Sequence, residues 1–182
     1  MLLPAAGWTA TMAALAGSLM LAVQGFRAQR RPGSVPKSQL RAAVVVMAAG
    51  AAVAMAALEA GLLSNDFAMS YVAQPHSRNT PLLFTITSAW SALGGSIVLW
   101  ALILAGYTVV VYRGVRGAED RLGVGALAVM GLVAAFFFGL VATAANPFKI
   151  LSNPPAGGPG PNPLLQDHIM VAFHPPMLYL GF

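Results

Sequence analysis

Four uninterrupted apolar runs, roughly Leu3 to Phe26, Ala42 to Ser64, Ser91 to Tyr112 and Leu122 to Ala145, limit what this chain can fold into. Each has about the 20 residues that a helix needs to cross the hydrocarbon layer of a bilayer. No water reaches backbone N–H and C=O groups there, so a spanning segment must be a helix or part of a closed barrel. The runs are dominated by alanine, leucine, glycine and methionine, without the two-residue alternation of a barrel strand. With 58% hydrophobic and 8% charged residues, the chain has too little polar side chain to cover a soluble globule. The expected fold is therefore all-α: a polytopic transmembrane helical bundle of four complete helices plus the start of a fifth, forming one membrane domain over residues 1–182. Small residues such as Ala48 to Ala52, Gly123, Gly125 and Gly131 suit close helix packing.

The connections carry the orientation. Residues 27–41 hold Arg27, Arg30, Arg31, Lys37 and Arg41 without an acid, and residues 113–121 hold Arg113, Arg116 and Arg121. Basic loops stay on the cytoplasmic side, which puts residues 65–90, residues 146–168 and the amino terminus outside. The expected location is the plasma (inner) membrane, with several crossings and the outer loops on the periplasmic or extracytoplasmic side. The formal charge of +5 sits in these breaks and not on one exposed face, so a nucleic acid is not an expected partner; the lipid bilayer is. The first run has no basic segment ahead of it and no small-residue cleavage site soon after a short apolar core, and so reads as a retained helix.

Chemistry is confined by what the chain lacks. Without cysteine it has no thiolate metal site, iron–sulfur cluster or disulfide, and metal ligation falls to histidine or carboxylate. The three histidines, His76, His168 and His174, all lie in or beside the outer connections. His174 precedes Pro175-Pro176, so the spacing predicts it as the N-cap of the fifth helix, where the positive end of the helix dipole keeps the imidazole neutral and open to a metal. An ordinary boundary histidine is the plainer account. His168 and His174 are separated by about 240° of helical turn and do not share a face. Residues 65–81 place Phe67, Met69, Tyr71 and Val72 on an apolar side expected to lie on the membrane interface. Residues 146–161, dense in proline and glycine, read as a flexible or polyproline-like tether. Trp90 and Trp100 flank Gly94-Gly95 as interfacial anchors, and Glu59 lies about a turn from the outer end of its helix.

Four blocks, YVAQPHSRNTP (71–81), WSALGGSIVLW (90–100), ANPF (145–148) and NPLLQDHIMVAFHPPMLYLGF (162–182), occur in an order that resembles the cytochrome c assembly proteins. The resemblance is closest to the amino-terminal part of the CcmF-type haem lyase subunit. It implies cytochrome c-type biogenesis: haem b, held as a bound substrate, is presented at the outer face and joined to the CxxCH cysteines of apocytochrome c. It also implies that His174 is an axial ligand of the haem iron, with Trp90, His76 and Arg78 as haem contacts, Arg78 through bidentate binding of a propionate. The expected partners are a missing carboxyl-terminal part or second lyase subunit, apocytochrome c and a haem-delivery protein. The chain departs from the family's usual form at Gly94, where an acidic or polar residue normally precedes Gly-Ser. A second axial histidine and the tryptophan-rich loop of the family are also absent from these 182 residues. Two other classes stay open. A secondary transporter is expected to carry broken helices with polar groups near mid-membrane, and a haem-bearing respiratory subunit needs histidines inside two facing helices.

Overall fold

Backbone hydrogen bonding carries the first helix past Phe26 to Arg30 and starts the second at Lys37, ahead of Ala42, while the last spanning helix stops at Ala142, short of Ala145. The computed structural model describes residues 2–116, 119–163 and 168–181. Its elements are α1 (Leu2–Arg30), α2 (Lys37–Leu63), α3 (Leu82–Thr87) continuing into one 3-10 turn (Ser88–Trp90), α4 (Leu93–Gly114), α5 (Arg121–Ala142) and α6 (Met170–Gly181). Four of them, α1, α2, α4 and α5, are long and apolar enough to cross a membrane. The protein is a multi-pass membrane protein. No strand occurs among the described residues, only one isolated antiparallel bridge between Met69 and Ile150.

The first connection is shorter than the hydropathy pattern implied. Arg27 and Arg30 close α1, Lys37 and Arg41 belong to α2, and only residues 31–36 lie between the helices. Pro32 and Gly33, the latter at φ 81°, end α1, and Pro36 sets the entry to α2. Helix α2 ends in a Schellman motif: Asn65, at φ 56°, donates from its N–H to the Leu62 carbonyl at 3.1 Å, and Asp66 donates to that of Gly61 at 2.9 Å. Helix α5 begins at Asp120, whose carboxylate accepts the Gly123 N–H at 2.9 Å.

The four spanning helices close a ring in which α1 packs on α2 and α5, while α4 packs on α5 and α2. Glycine permits the approach. A Cβ at Gly50 would stand 2.6 Å from the Ala10 carbonyl oxygen, and one at Gly131 would stand 2.8 Å from the Ala22 nitrogen. Such backbone proximity supplies the van der Waals contact that holds helices together where lipid offers no hydrophobic contrast. Thr11 and Thr108, buried within the spans, donate to the carbonyls of Gly7 and Leu104 in their own helices. Val110, Val129, Leu132 and Phe136 face outward, as a lipid-facing surface requires.

The connections sort to two ends of the ring. At one end Lys37 donates to the Val115 carbonyl at 2.8 Å and lies over the Tyr112 ring, tying the two basic connections together. At the other end the Ser70 N–H donates to the Lys149 carbonyl and that of Leu151 to Ala68. Two expectations fail here. Phe67, Met69, Tyr71 and Val72 do not lie on a membrane interface: all four are buried against the helix ends, because the Schellman turn directs the chain back over the bundle. Nor is the fourth connection a free tether. Phe148 is buried, and its ring occupies the space a Cβ at Gly7 would take, while Gly158 lies against the carbonyls of His76 and Ala73.

Gly50→Leu is expected to lower the unfolding free energy by about 1–3 kcal/mol, because the neighbouring backbone cannot move aside. Gly106→Leu, a substitution into open space on α4, is expected to change it little. Thermal unfolding of the two variants in detergent compares them.

Candidate functional site

The end of the bundle that carries the histidines is organised around an elbow before α4. Tyr71 is buried there, and its hydroxyl donates to the Ser88 carbonyl at 2.8 Å and accepts the Ala92 N–H at 3.3 Å. Burial pushes the Tyr71 phenol above its ordinary range, so it stays a neutral hydroxyl. Helix α4 starts at Ala92 without a side-chain cap, and the tyrosine stands in for one. A Cβ at Gly95 would overlap both the Ala89 carbonyl and the Tyr71 hydroxyl, so the elbow requires glycine at that position. Ser96 closes the turn by donating to the Trp90 carbonyl at 2.6 Å.

Trp90, half-buried, reaches from this elbow to α6. Its indole N–H donates to the Val171 carbonyl at 2.8 Å. Pro175 has no N–H to give that carbonyl four residues back, so the indole satisfies a group the proline leaves free. This bond bears on the start of the last helix. Helix α6 begins at Met170 and runs through both prolines, so His174 is not its N-cap. The capping bonds come from His168, two residues ahead of the helix: its Nδ1 accepts the Met170 N–H at 3.2 Å, and its carbonyl accepts the Val171 N–H.

His174 lies one turn into α6 and is exposed. Met170 and Met177, at i−4 and i+3, share its face and are 53% and 65% exposed, so the imidazole stands in an exposed apolar stripe. Further along, Tyr179 stacks on Trp100 with ring centroids 5.5 Å apart, and Tyr107 donates to the Leu180 carbonyl. Helix α6 thus descends along α4 from the elbow towards mid-membrane. Residues Leu164–Asp167 of the closing motif, and Phe182, lie outside the described residues.

His76 and Arg78 are placed differently from His174. His76 is buried to 2% exposure; its Nε2 donates to the Asn65 side-chain oxygen at 2.9 Å, and its Nδ1 has no partner. Phe67 stacks on the His76 ring and also carries the Arg78 guanidinium 5.3 Å from its centroid. Arg78, exposed, donates from Nε to the Ala156 carbonyl, joining the two loops at this end. The structure thus brings Trp90 next to the helix of His174 and groups His76 and Arg78 around Phe67. Among the described residues no cluster of three or more His, Asp or Glu side chains could hold a metal ion, and His174 would supply one ligand alone. A polar cavity of about 210 Å³, lined by Ser70, Tyr71, Gln74, Gly94, Asn146 and Lys149, opens between the loops and the start of α4. In the sequence Tyr71 stands out only as part of an apolar side, without its capping role, and Asn65 only as the start of the connection. Asn65 carried a signal, because asparagine just past a helix is a usual left-handed residue.

Comparison with known proteins bears on this arrangement. No family model matches the chain. The cytochrome c-type biogenesis protein ccl1 of Rhodobacter capsulatus is 37% identical over 131 residues, 72% of this chain and 20% of that protein. The CcmF proteins of Pseudomonas fluorescens and Escherichia coli are 38% and 36% identical over 71% and 65% of the chain. A solved cytochrome c heme lyase CcmF superposes with a TM-score of 0.80 at 34% identity, over 98% of this chain and 28% of that one. The chain belongs to the CcmF-type cytochrome c biogenesis proteins. It spans about a fifth of the length of the curated relatives it matches.

Two outcomes test this account of the CcmF-type end. Trp90→Phe is expected to speed amide exchange in α6 about tenfold while α5 is unchanged, read by hydrogen–deuterium exchange, because a buried carbonyl loses its partner at a cost of about 1–3 kcal/mol. Burial lowers the His76 pKa below its ordinary 6.5. The unfolded chain then binds the proton more readily, so the His76 contribution to stability is complete above pH 6.5 and is lost as the pH falls towards the folded pKa. The slope is at most about 1.4 kcal/mol per pH unit. Melting temperatures between pH 7.5 and 5 are expected to fall more steeply for the wild type than for His76→Gln.

Proposed function

We propose that this chain contributes one side of a haem-presenting site in cytochrome c maturation, at the outer face of the plasma (inner) membrane. The observation that carries the reading is His174: an exposed imidazole in the Met170 and Met177 stripe, on a helix held to the elbow by the Trp90 bond. An apolar platform with one projecting imidazole suits a porphyrin ring, whose iron takes an axial nitrogen while its faces are desolvated. His174 is the axial ligand in this reading, and haem b is bound as a substrate. The orientation has the amino terminus and residues 65–90 and 146–168 outside, in keeping with the basic connections at the opposite end.

The chemistry needs no nucleophile from this chain. A cysteine thiol of apocytochrome c adds across a haem vinyl group, sulfur bonding to carbon and the proton completing the saturated side chain. The site contributes by holding the vinyl carbon beside the thiol, and such positioning replaces part of an entropic barrier. Trp90, half-buried beside α6, and Arg78, exposed at the loop junction, are the further residues proposed to meet haem, with Arg78 serving a propionate. His76 acts in this reading by fixing Phe67 beneath Arg78. The second axial ligand comes from the remainder of a lyase or from a second subunit, and a haem-delivery protein supplies the substrate. The solved relative is described as a heme lyase, which supports the assignment.

Coexpression with the remaining length of a CcmF-type relative and an apocytochrome, followed by haem staining of the cytochrome, tests the reading. His174→Ala is expected to lower covalent haem attachment at least tenfold, against a minor effect of Leu180→Ala. Unchanged attachment would remove His174 from the site.

A further inference from the structure

The basic end of the bundle holds a cavity that topology alone does not account for. Arg27, Arg30, Arg31 and Ser34 line a recess of about 280 Å³ where α1 ends. A positive loop explains why arginines are present, and the negative end of the α1 dipole favours them. Neither explains their convergence. Arg27 stands at i−3 and i−4 from Arg30 and Arg31, a spacing at which like charges repel each other on a helix. No acid occurs between Arg27 and Arg41; across the same end, Asp120 is committed to capping α5 and Glu119 beside it is exposed, and neither lines the recess.

The turn shapes the recess. The Ser34 N–H donates to the Arg31 carbonyl at 3.0 Å and its hydroxyl to that of Arg27 at 3.3 Å, so Gly33 in its positive-φ conformation folds Ser34 back over the helix end. Of the other two basic residues in this connection, Lys37 is held by Val115 and Tyr112, and Arg41 lies outside the recess. The surface next to the recess is apolar. Val23, one turn before Arg27, is 56% exposed, Phe26, one turn before Arg30, is 37% exposed, and Leu19 continues the stripe at 48%. A ligand that fits both parts has an anionic head accepting bidentate hydrogen bonds from guanidinium groups and a hydrocarbon tail lying along α1.

We propose that Arg27, Arg30, Arg31 and Ser34 form a binding site for the phosphodiester headgroup of an anionic phospholipid, whose acyl chain runs along Phe26, Val23 and Leu19. The headgroup offsets one of the three converging charges, accepts hydrogen bonds from the guanidinium groups, and anchors the end of α1 at the bilayer surface. The site is separate from the histidine-bearing end and holds whichever way the chain is oriented.

Native mass spectrometry of the detergent-purified full chain, titrated with phosphatidylglycerol or with phosphatidylcholine of the same acyl chains, provides the test. Phosphatidylglycerol is expected to bind more tightly, and Arg27→Gln, Arg30→Gln or Arg31→Gln each to weaken it about fivefold. Arg41→Gln and Arg121→Gln, which remove the same charge at the same end, are expected to change it little. Equal weakening by these two controls, or no preference between the lipids, overturns the proposal in favour of unspecific attraction. Displacement of the lipid by inorganic phosphate at equal concentration overturns it in favour of a free-anion site. If an arginine variant fails to fold, as its melting curve will show, the lipid preference and the phosphate competition in the wild type still decide.

Discussion

Everything at the histidine-bearing end depends on one hydroxyl in a space that one glycine leaves open. Tyr71 enters the elbow before α4, donates to Ser88 and accepts from Ala92, and does so only because Gly95 has no Cβ. A helix start in a membrane protein has N–H groups that need partners, and here the cap comes from a side chain 21 residues earlier in the chain. The elbow sets the direction of Trp90, Trp90 takes the carbonyl freed by Pro175, and α6 is thereby held beside α4. The position of His174 follows from that chain of bonds.

The two ends of the bundle use their polar groups differently. Around the elbow, buried aromatic and hydroxyl groups are paired within the fold, and the loops are sewn together by backbone bonds and by Arg78. At the basic end the guanidinium groups face outward around a recess with no acid nearby in sequence. The first arrangement gives a rigid platform. The second leaves charge to be met by something outside the chain.

Much of this was legible from residue order. The four spanning helices follow from run length and from the demand that backbone groups be satisfied in hydrocarbon, and Gly50 and Gly131 act as the small-residue pattern suggests. Where residue order pointed elsewhere, a long-range partner was responsible in two cases and a local turn in a third. Proline after His174 is ordinarily a sign of a helix start, yet α6 begins earlier, because the Trp90 indole satisfies the carbonyl that Pro175 cannot. Residues 146–161 have the composition of a tether, yet Phe148 finds a pocket made by Gly7, far away in the chain. Phe67 to Val72 have the composition of an interfacial stretch, and a left-handed Asn65 turns them inward.

The sequence by itself determined that this protein is a helical membrane bundle with its basic connections at one end and its histidines at the other, since hydrophobicity and charge act locally and leave a periodic record. Only the tertiary structure decided that His76 is buried while His174 is exposed, that His168 and not His174 caps α6, and that three arginines converge on one recess. These depend on which hydrogen-bonding groups and surfaces meet across the fold, and residues distant in the chain carry no mark of each other in its order.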